Sequence, residues 1–190
     1  MDNLDLSDFL LIFLSFVYGY VVTVYLAGWS SMIHDKNGHR YYWVHSFWTI
    51  IGFLFTVQAW WGLWPDRIGI SENFLTFLLS LAVPVQLYFL VTFLLPVSEN
   101  SKGLNFKFYF MKNRKYVFTL AVMLLATMIM NSLVFKGEEV WSDKNVFRFV
   151  GLFLLLSLIF VKNRWFQEAA PFILLAVLGS YVGLHRFEII

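Results

Sequence analysis

The chain contains no cysteine. That absence removes disulfides, thiol nucleophiles, thiolate-held metals and iron–sulfur clusters together. Charge is scarce as well. Only 14% of the 190 residues are Asp, Glu, Lys or Arg, against about 25% in a soluble domain. Arg148 is the one charged side chain inside an apolar run, near enough to its start to be expected to snorkel to the interface. Proton-coupled pumps lean on an intramembrane carboxylate or an equivalent relay. The nearest such group, Glu168, falls in the first turn of the last run, where the positive helix end suits a capping role. A Gly-rich phosphate loop, HExxH, a Ser–His–Asp set, a nucleic-acid-binding module and the TVGYG filter are all missing. No catalytic residue, cofactor, metal site or nucleic-acid partner is therefore expected.

What the chain does have is apolar length. Hydrophobic residues make up 59% of it, and the runs are continuous rather than alternating, which excludes an outer-membrane barrel. The expected class is all-α: a polytopic transmembrane helical bundle forming a single domain over residues 1–190. The acidic opening MDNLDLSDFLL lacks the basic region and cleavage site of a signal peptide, so the first run is expected to be retained.

About six spans are expected, at residues 9–29, 41–64, 74–95, 116–135, 146–161 and 165–184. The second is the most distinctive. It carries Trp43, Trp48, Trp60, Trp61 and Trp64 and no charge at all. A helix places Trp43 and Trp60 about 25 Å apart, close to the thickness of the hydrocarbon core, with an aromatic belt at each end. Punctuation residues set the ends. Ser7 or Asp8 caps the first span, Pro65-Asp66 stops the second, Ser71 caps the third, Pro84 kinks it, and Ser142-Asp143 caps the fifth. In the first span, Tyr18, Tyr20 and Tyr25 are spaced for a loosely shared face. The KNRW turn makes the last two spans an antiparallel hairpin.

The basic loop over residues 97–115 has two readings. Its LNFKFYFMKNRK alternates rings with polar residues, as in a segment lying among headgroups with its rings down, or it is a short hairpin strand or plain loop. Lys107, Lys112, Arg114 and Lys115 would meet anionic lipid or a cytosolic partner there. With both termini on the outer side, Lys36, Arg40, Lys102, Lys107, Lys112, Arg114, Lys115, Lys162 and Arg164 fall inside. Only Arg67, Lys136, Lys144, Arg148 and Arg186 fall outside, so the positive-inside rule selects this orientation. A bacterial inner membrane is the expected location.

Uncharged polar residues are the remaining candidates for function. Gln86 falls near the midplane; Gln58, Ser80, Asn131, Ser180 and Tyr181 fall in the outer half, on four spans. An amide in hydrocarbon is costly unless bonded, so these side chains turn inward, either as interhelical ties or as the lining of one polar cavity beside Pro84. His45, one turn into the second span with Trp48 at i+3, is read as an interfacial histidine bonded to a carbonyl, or as a gate or ligand contact. His34 and His39 share its end of the bundle, without matching carboxylates or thiolates for a metal.

Three functions fit. The first is a pore- or transport-type protein, homo-oligomeric, with a carboxylate-free polar path. The second is a sensor, anchor or accessory module docking through the basic loop. The third is an intramembrane lipid- or quinone-acting enzyme with His45 as base, weakened by the lack of a carboxylate partner for that histidine.

Overall fold

Seven α-helices carry most of the computed structural model, which describes residues 5–34, 40–96, 104–135, 137, 139–161 and 163–185. They are α1 (Leu6–His34), α2 (Trp43–Trp61), α3 (Leu63–Ser71), α4 (Phe74–Leu94), α5 (Phe106–Met130), α6 (Asp143–Phe160) and α7 (Arg164–His185). A π-helical turn, Asn131–Phe135, continues α5.

Cross-helix pairs fix the directions. Trp60 donates to the Ser15 hydroxyl at 3.1 Å and Trp29 to the Thr49 hydroxyl at 3.2 Å, so α1 and α2 are antiparallel. Phe13 meets Phe77 and Tyr20 meets Tyr88, which makes α4 parallel to α1. Gln86–Thr127 and Phe93–Tyr116 set α5 antiparallel to α4. Gln167 donates to the Leu158 and Val161 carbonyls, and Phe147 meets Tyr181, which makes α6 and α7 the antiparallel hairpin that their short link demands. Helix α7 returns to α2 through Phe172, which packs on Trp43 and Phe47. The six long helices thus form an up–down ring, and α2 touches α1, α3, α4, α5 and α7.

Four helical segments are long and apolar enough to cross a bilayer: Leu6–His34, Phe74–Leu94, Phe106–Leu133 and Trp165–Leu184. The bent pair α2–α3 makes a fifth if counted as one span. Helix α6 falls short of that measure, because Asp143, Lys144 and Arg148 lie within its 18 residues. The outside of the bundle is apolar: Phe16, Phe153, Phe160 and Trp165 are each at least 74% exposed. Soluble monomers rarely expose apolar surface so widely, and the exterior fits an integral membrane protein.

Several ends differ from the sequence expectation. Helix α1 starts at Leu6, with the Asp5 carboxylate accepting from the Leu6 N–H at 2.7 Å, so neither Ser7 nor Asp8 is the cap. The Trp-rich helix breaks at Gly62, before Pro65 is reached, and resumes as α3 with a 54° bend. Pro65 sits in the first turn of α3, where a missing N–H costs no helix hydrogen bond. Ser71 closes α3, its hydroxyl donating to the Ile68 carbonyl. The cap of α4 is Asn73, whose side chain accepts from the Leu75 and Thr76 N–H groups at 3.0 and 2.9 Å. Helix α4 runs unbroken through Pro84. Ser142 does cap α6. Tyr18 and Tyr25 are buried, whereas Tyr20 is exposed on another face of α1.

The largest difference is the basic segment. Residues 97–103 lie outside the described residues, but from Phe106 onward the segment is helix, capped by Asn105. Its alternation of rings and polar residues is the reason it resembles a strand or an interfacial ribbon. The actual repeat is helical: Phe106, Phe110 and Arg114 form one buried stripe, while Lys107, Lys112 and Lys115 are exposed.

Lipid does not drive helices together as water does, so close fit carries much of the association. Two glycines permit it. A methyl group on Gly28 would collide with the side chain of Leu95, the residue that caps the end of α4, and one on Gly52 with the Tyr25 hydroxyl of α1.

Candidate functional site

Two adjoining cavities occupy the ring. The larger, about 110 Å³, lies between α2, α4, α5, α6 and α7. Its wall is almost entirely carbon. Trp48 and Phe118 meet edge to face at one end, with centroids 5.0 Å apart. Leu125, Gly151 and Leu174 form the flank, and a methyl group on Gly151 would come within 3.3 Å of Leu125. The smaller cavity, about 50 Å³, is bordered by α1, α2, α3, α4, α5, α6 and the π turn. It is much more polar: Tyr18, Gln58, Asp66, Ser80, Asn131 and Arg148 border it. Gln58, Met128 and Arg148 border both cavities, which makes them the junction.

Local structure explains why these groups converge. Gln58 sits in the last turn of α2, just before the Gly62 break. The bend then swings α3 across the ends of α1 and α4 and brings Asp66 to the polar cavity. Asn131 opens the π turn, its N–H shared between the Thr127 and Met128 carbonyls. Such widened turns recur where a helix must re-aim side chains. Arg148 is half-buried on α6. One guanidinium N–H donates to the Asn145 side-chain oxygen at 2.8 Å, and the fully buried Asn145 donates in turn to the Glu139 carbonyl at 3.0 Å.

The sequence-derived candidates therefore separate. Gln58, Ser80 and Asn131 share the polar cavity, and Tyr181 borders the apolar one. The Ser80 hydroxyl is also used within its own helix, donating to the Thr76 carbonyl at 2.9 Å. Gln86 borders neither cavity. It ties α4 to α5 by donating to the Thr127 hydroxyl at 2.9 Å. Ser180 is exposed on the outer face of α7. Tyr18, Asp66 and Arg148 border the site without having been candidates for it. Asp66, which the sequence places in a helix stop, borders the polar cavity, so that cavity is not free of carboxylates. The Arg148 guanidinium reaches back three residues toward the start of α6 to meet Asn145, while the residue borders both cavities. Its lone position inside an apolar run was the available signal.

His45 and Trp48 part company as well. Trp48 lines the apolar cavity, and its indole N–H is buried without a hydrogen-bond partner. His45 is fully buried outside both cavities. Its Nε2 lies 2.7 Å from the Leu94 carbonyl oxygen, which can only accept, so Nε2 carries the proton and Nδ1 is a buried acceptor. The Phe106 ring stacks on the imidazole at 5.1 Å. His45 thus ties the start of α2, the end of α4 and the start of α5. The backbone bridge between Arg40 and Asn105 reinforces the same end. His34 is exposed and paired with the Ser30 carbonyl of its own helix, and His39 lies outside the described residues.

Lys107, Lys112 and Lys115 stand exposed on the first turns of α5, beside exposed Phe108 and Tyr116. Arg114 does not join them, being only 6% exposed. No family model, no curated protein and no solved structure matches this chain.

Proposed function

We propose that this chain is a multi-pass membrane protein of transport type that holds and passes a small uncharged solute through the cavity pair inside the bundle. The observation that carries this is the junction: a carbon-walled cavity and a polar one share Gln58, Met128 and Arg148 within a single chain. About 110 Å³ is of the same order as the roughly 150 Å³ apolar cavity known to admit a benzene ring. The solute sits within one subunit, so self-association is not needed to make the path. All six long helices cross, with the lysine-rich start of α5 facing the cytoplasm of a bacterial cell and both ends of the chain outside. The test is solute flux. Proteoliposomes should pass short alcohols and diols faster than empty vesicles in stopped-flow light scattering. Gly151→Leu, which fills the cavity against Leu125 and Leu174, should bring the rate back to that of the lipid alone. Identical rates with wild-type protein and with none would end this assignment.

A second function fits the other end of the molecule. Lys107, Lys112 and Lys115 form an exposed basic face continuous with Phe108 and Tyr116, suited to anionic headgroups or an acidic cytosolic partner. Exchanging the three lysines for glutamine should abolish recovery of such a partner, or of anionic lipid, with the purified protein. Undiminished recovery of both would remove this second assignment.

A further inference from the structure

We infer that the solute is a small neutral amphiphile, an apolar body of about ring size bearing a hydroxyl-type head, and that Arg148 is the residue that recognises the head. This rests on the cavity pair being the solute site, as proposed above.

The shape of the site gives the body. The larger cavity offers carbon on nearly every side, so a polar group there would lose hydration without a replacement bond. The head belongs in the smaller cavity, where Asp66, Gln58, Asn131 and Tyr18 supply both donors and acceptors.

Charge selects among heads. Arg148 and Asp66 border the same small space, and their formal charges cancel. A carboxylate head would bring one net negative charge into a region of low dielectric, and an ammonium head one net positive charge. Either is costly without a matching counter-charge. A hydroxyl asks for no such balance, and it can accept from the guanidinium while donating to a carboxylate or amide oxygen.

Arg148 is singled out by position and by support. Among the described residues it is the only charged one bordering both cavities, so it stands where the body of a bound amphiphile meets the head. Its orientation is set from behind. Asn145, completely buried, accepts one guanidinium N–H and is itself anchored by the Glu139 carbonyl and by the Ser142 cap. Guanidinium groups present five N–H donors in a rigid planar fork, enough to serve more than one partner at once.

The test compares three probes that differ only in the head: toluene, p-cresol and p-toluate. Binding to the full-length protein in nanodiscs is measured by calorimetry, with empty nanodiscs subtracted. On the wild-type protein p-cresol should bind saturably and about tenfold tighter than toluene, the worth of one bond to a charged group. It should also bind tighter than p-toluate. Arg148→Lys, which keeps the charge but loses the fork, and Arg148→Gln should each reduce p-cresol to the level of toluene while leaving toluene unchanged. Gly151→Leu should abolish saturable binding of all three. Toluene binding within a variant reports that its cavity is intact, so a misfolded variant is recognised, and the wild-type probe series needs no variant at all. If p-cresol and toluene bind wild type equally, or if p-cresol binds the Arg148 variants as well as wild type, Arg148 does not read the head. The cavity proposal would survive that result. Tighter p-toluate than p-cresol would overturn the neutral-head argument. Loss of saturable binding of every probe to wild type would remove the cavity proposal and this inference together.

Discussion

At the scale of single residues, the polar side chains divide into ties and site-formers, and the division follows from their partners. His45 is a tie. Its N–H satisfies a carbonyl at the end of α4, where helix geometry leaves carbonyls without intrahelical donors. His45→Phe keeps the ring but removes the donor, so the buried Leu94 carbonyl is orphaned. Thermal unfolding in detergent should show a loss of about 1–3 kcal/mol. Gly52→Val should cost a comparable amount by forcing its side chain into the Tyr25 hydroxyl. Sequence spacing could say that Gln58, Gln86 and Asn131 must turn inward, because unbonded amides are too costly in hydrocarbon. It could not say toward what. Gln86 meets a threonine hydroxyl at its own depth, while Gln58 and Asn131 meet a void, and that depends on packing that no spacing rule encodes. Asp66 was illegible for another reason: it reaches the polar cavity only because the chain bends at Gly62.

At the scale of elements, the helices were legible from apolar length, and their ends were much less so. Capping is decided by a few backbone angles, and several residues near each end of a helix are chemically able to do it. Ser71 and Asn73 make the point. Both are common cap residues, but only Asn73 has the extended backbone and the two accepted N–H bonds of a working cap on α4. Asn73→Ala should therefore lower stability by about 1 kcal/mol, whereas Ser71→Ala should be near neutral in the same denaturation series. The start of α5 carries a similar lesson. Alternating rings look like a strand, but Phe106, Phe110 and Arg114 recur at helical spacing and are buried together. Arg114→Ala should lower the thermal midpoint through lost packing of its long stem. Lys112→Ala should leave the midpoint unchanged and only weaken the stabilisation that added phosphatidylglycerol gives.

At the scale of the whole molecule, the sequence announces its solvent. Scarce charge and long apolar runs are compositional, so they do not depend on packing, and the apolar exterior of the ring agrees with them. The ring order does not follow from composition. It arises because α2 can touch five other helices at once. The cysteine-free chain makes the proposed sidedness directly measurable. Lys112→Cys should react with an impermeant maleimide only after permeabilisation of the cell, and Trp141→Cys, exposed before α6, should react in intact cells. Labelling of both positions from the same side would mean that α5, which separates them, does not cross.

The closure of the ring through Phe172 against Trp43 and Phe47 has a consequence for biogenesis. Helices α1 to α5 leave the ribosome before α6 and α7 exist, so during synthesis the cavity is a trough open sideways to the bilayer. In a bilayer that trough would fill with lipid chains until the final hairpin displaced them. In a bilayer the last step of assembly would therefore be an exchange of acyl tails for protein side chains.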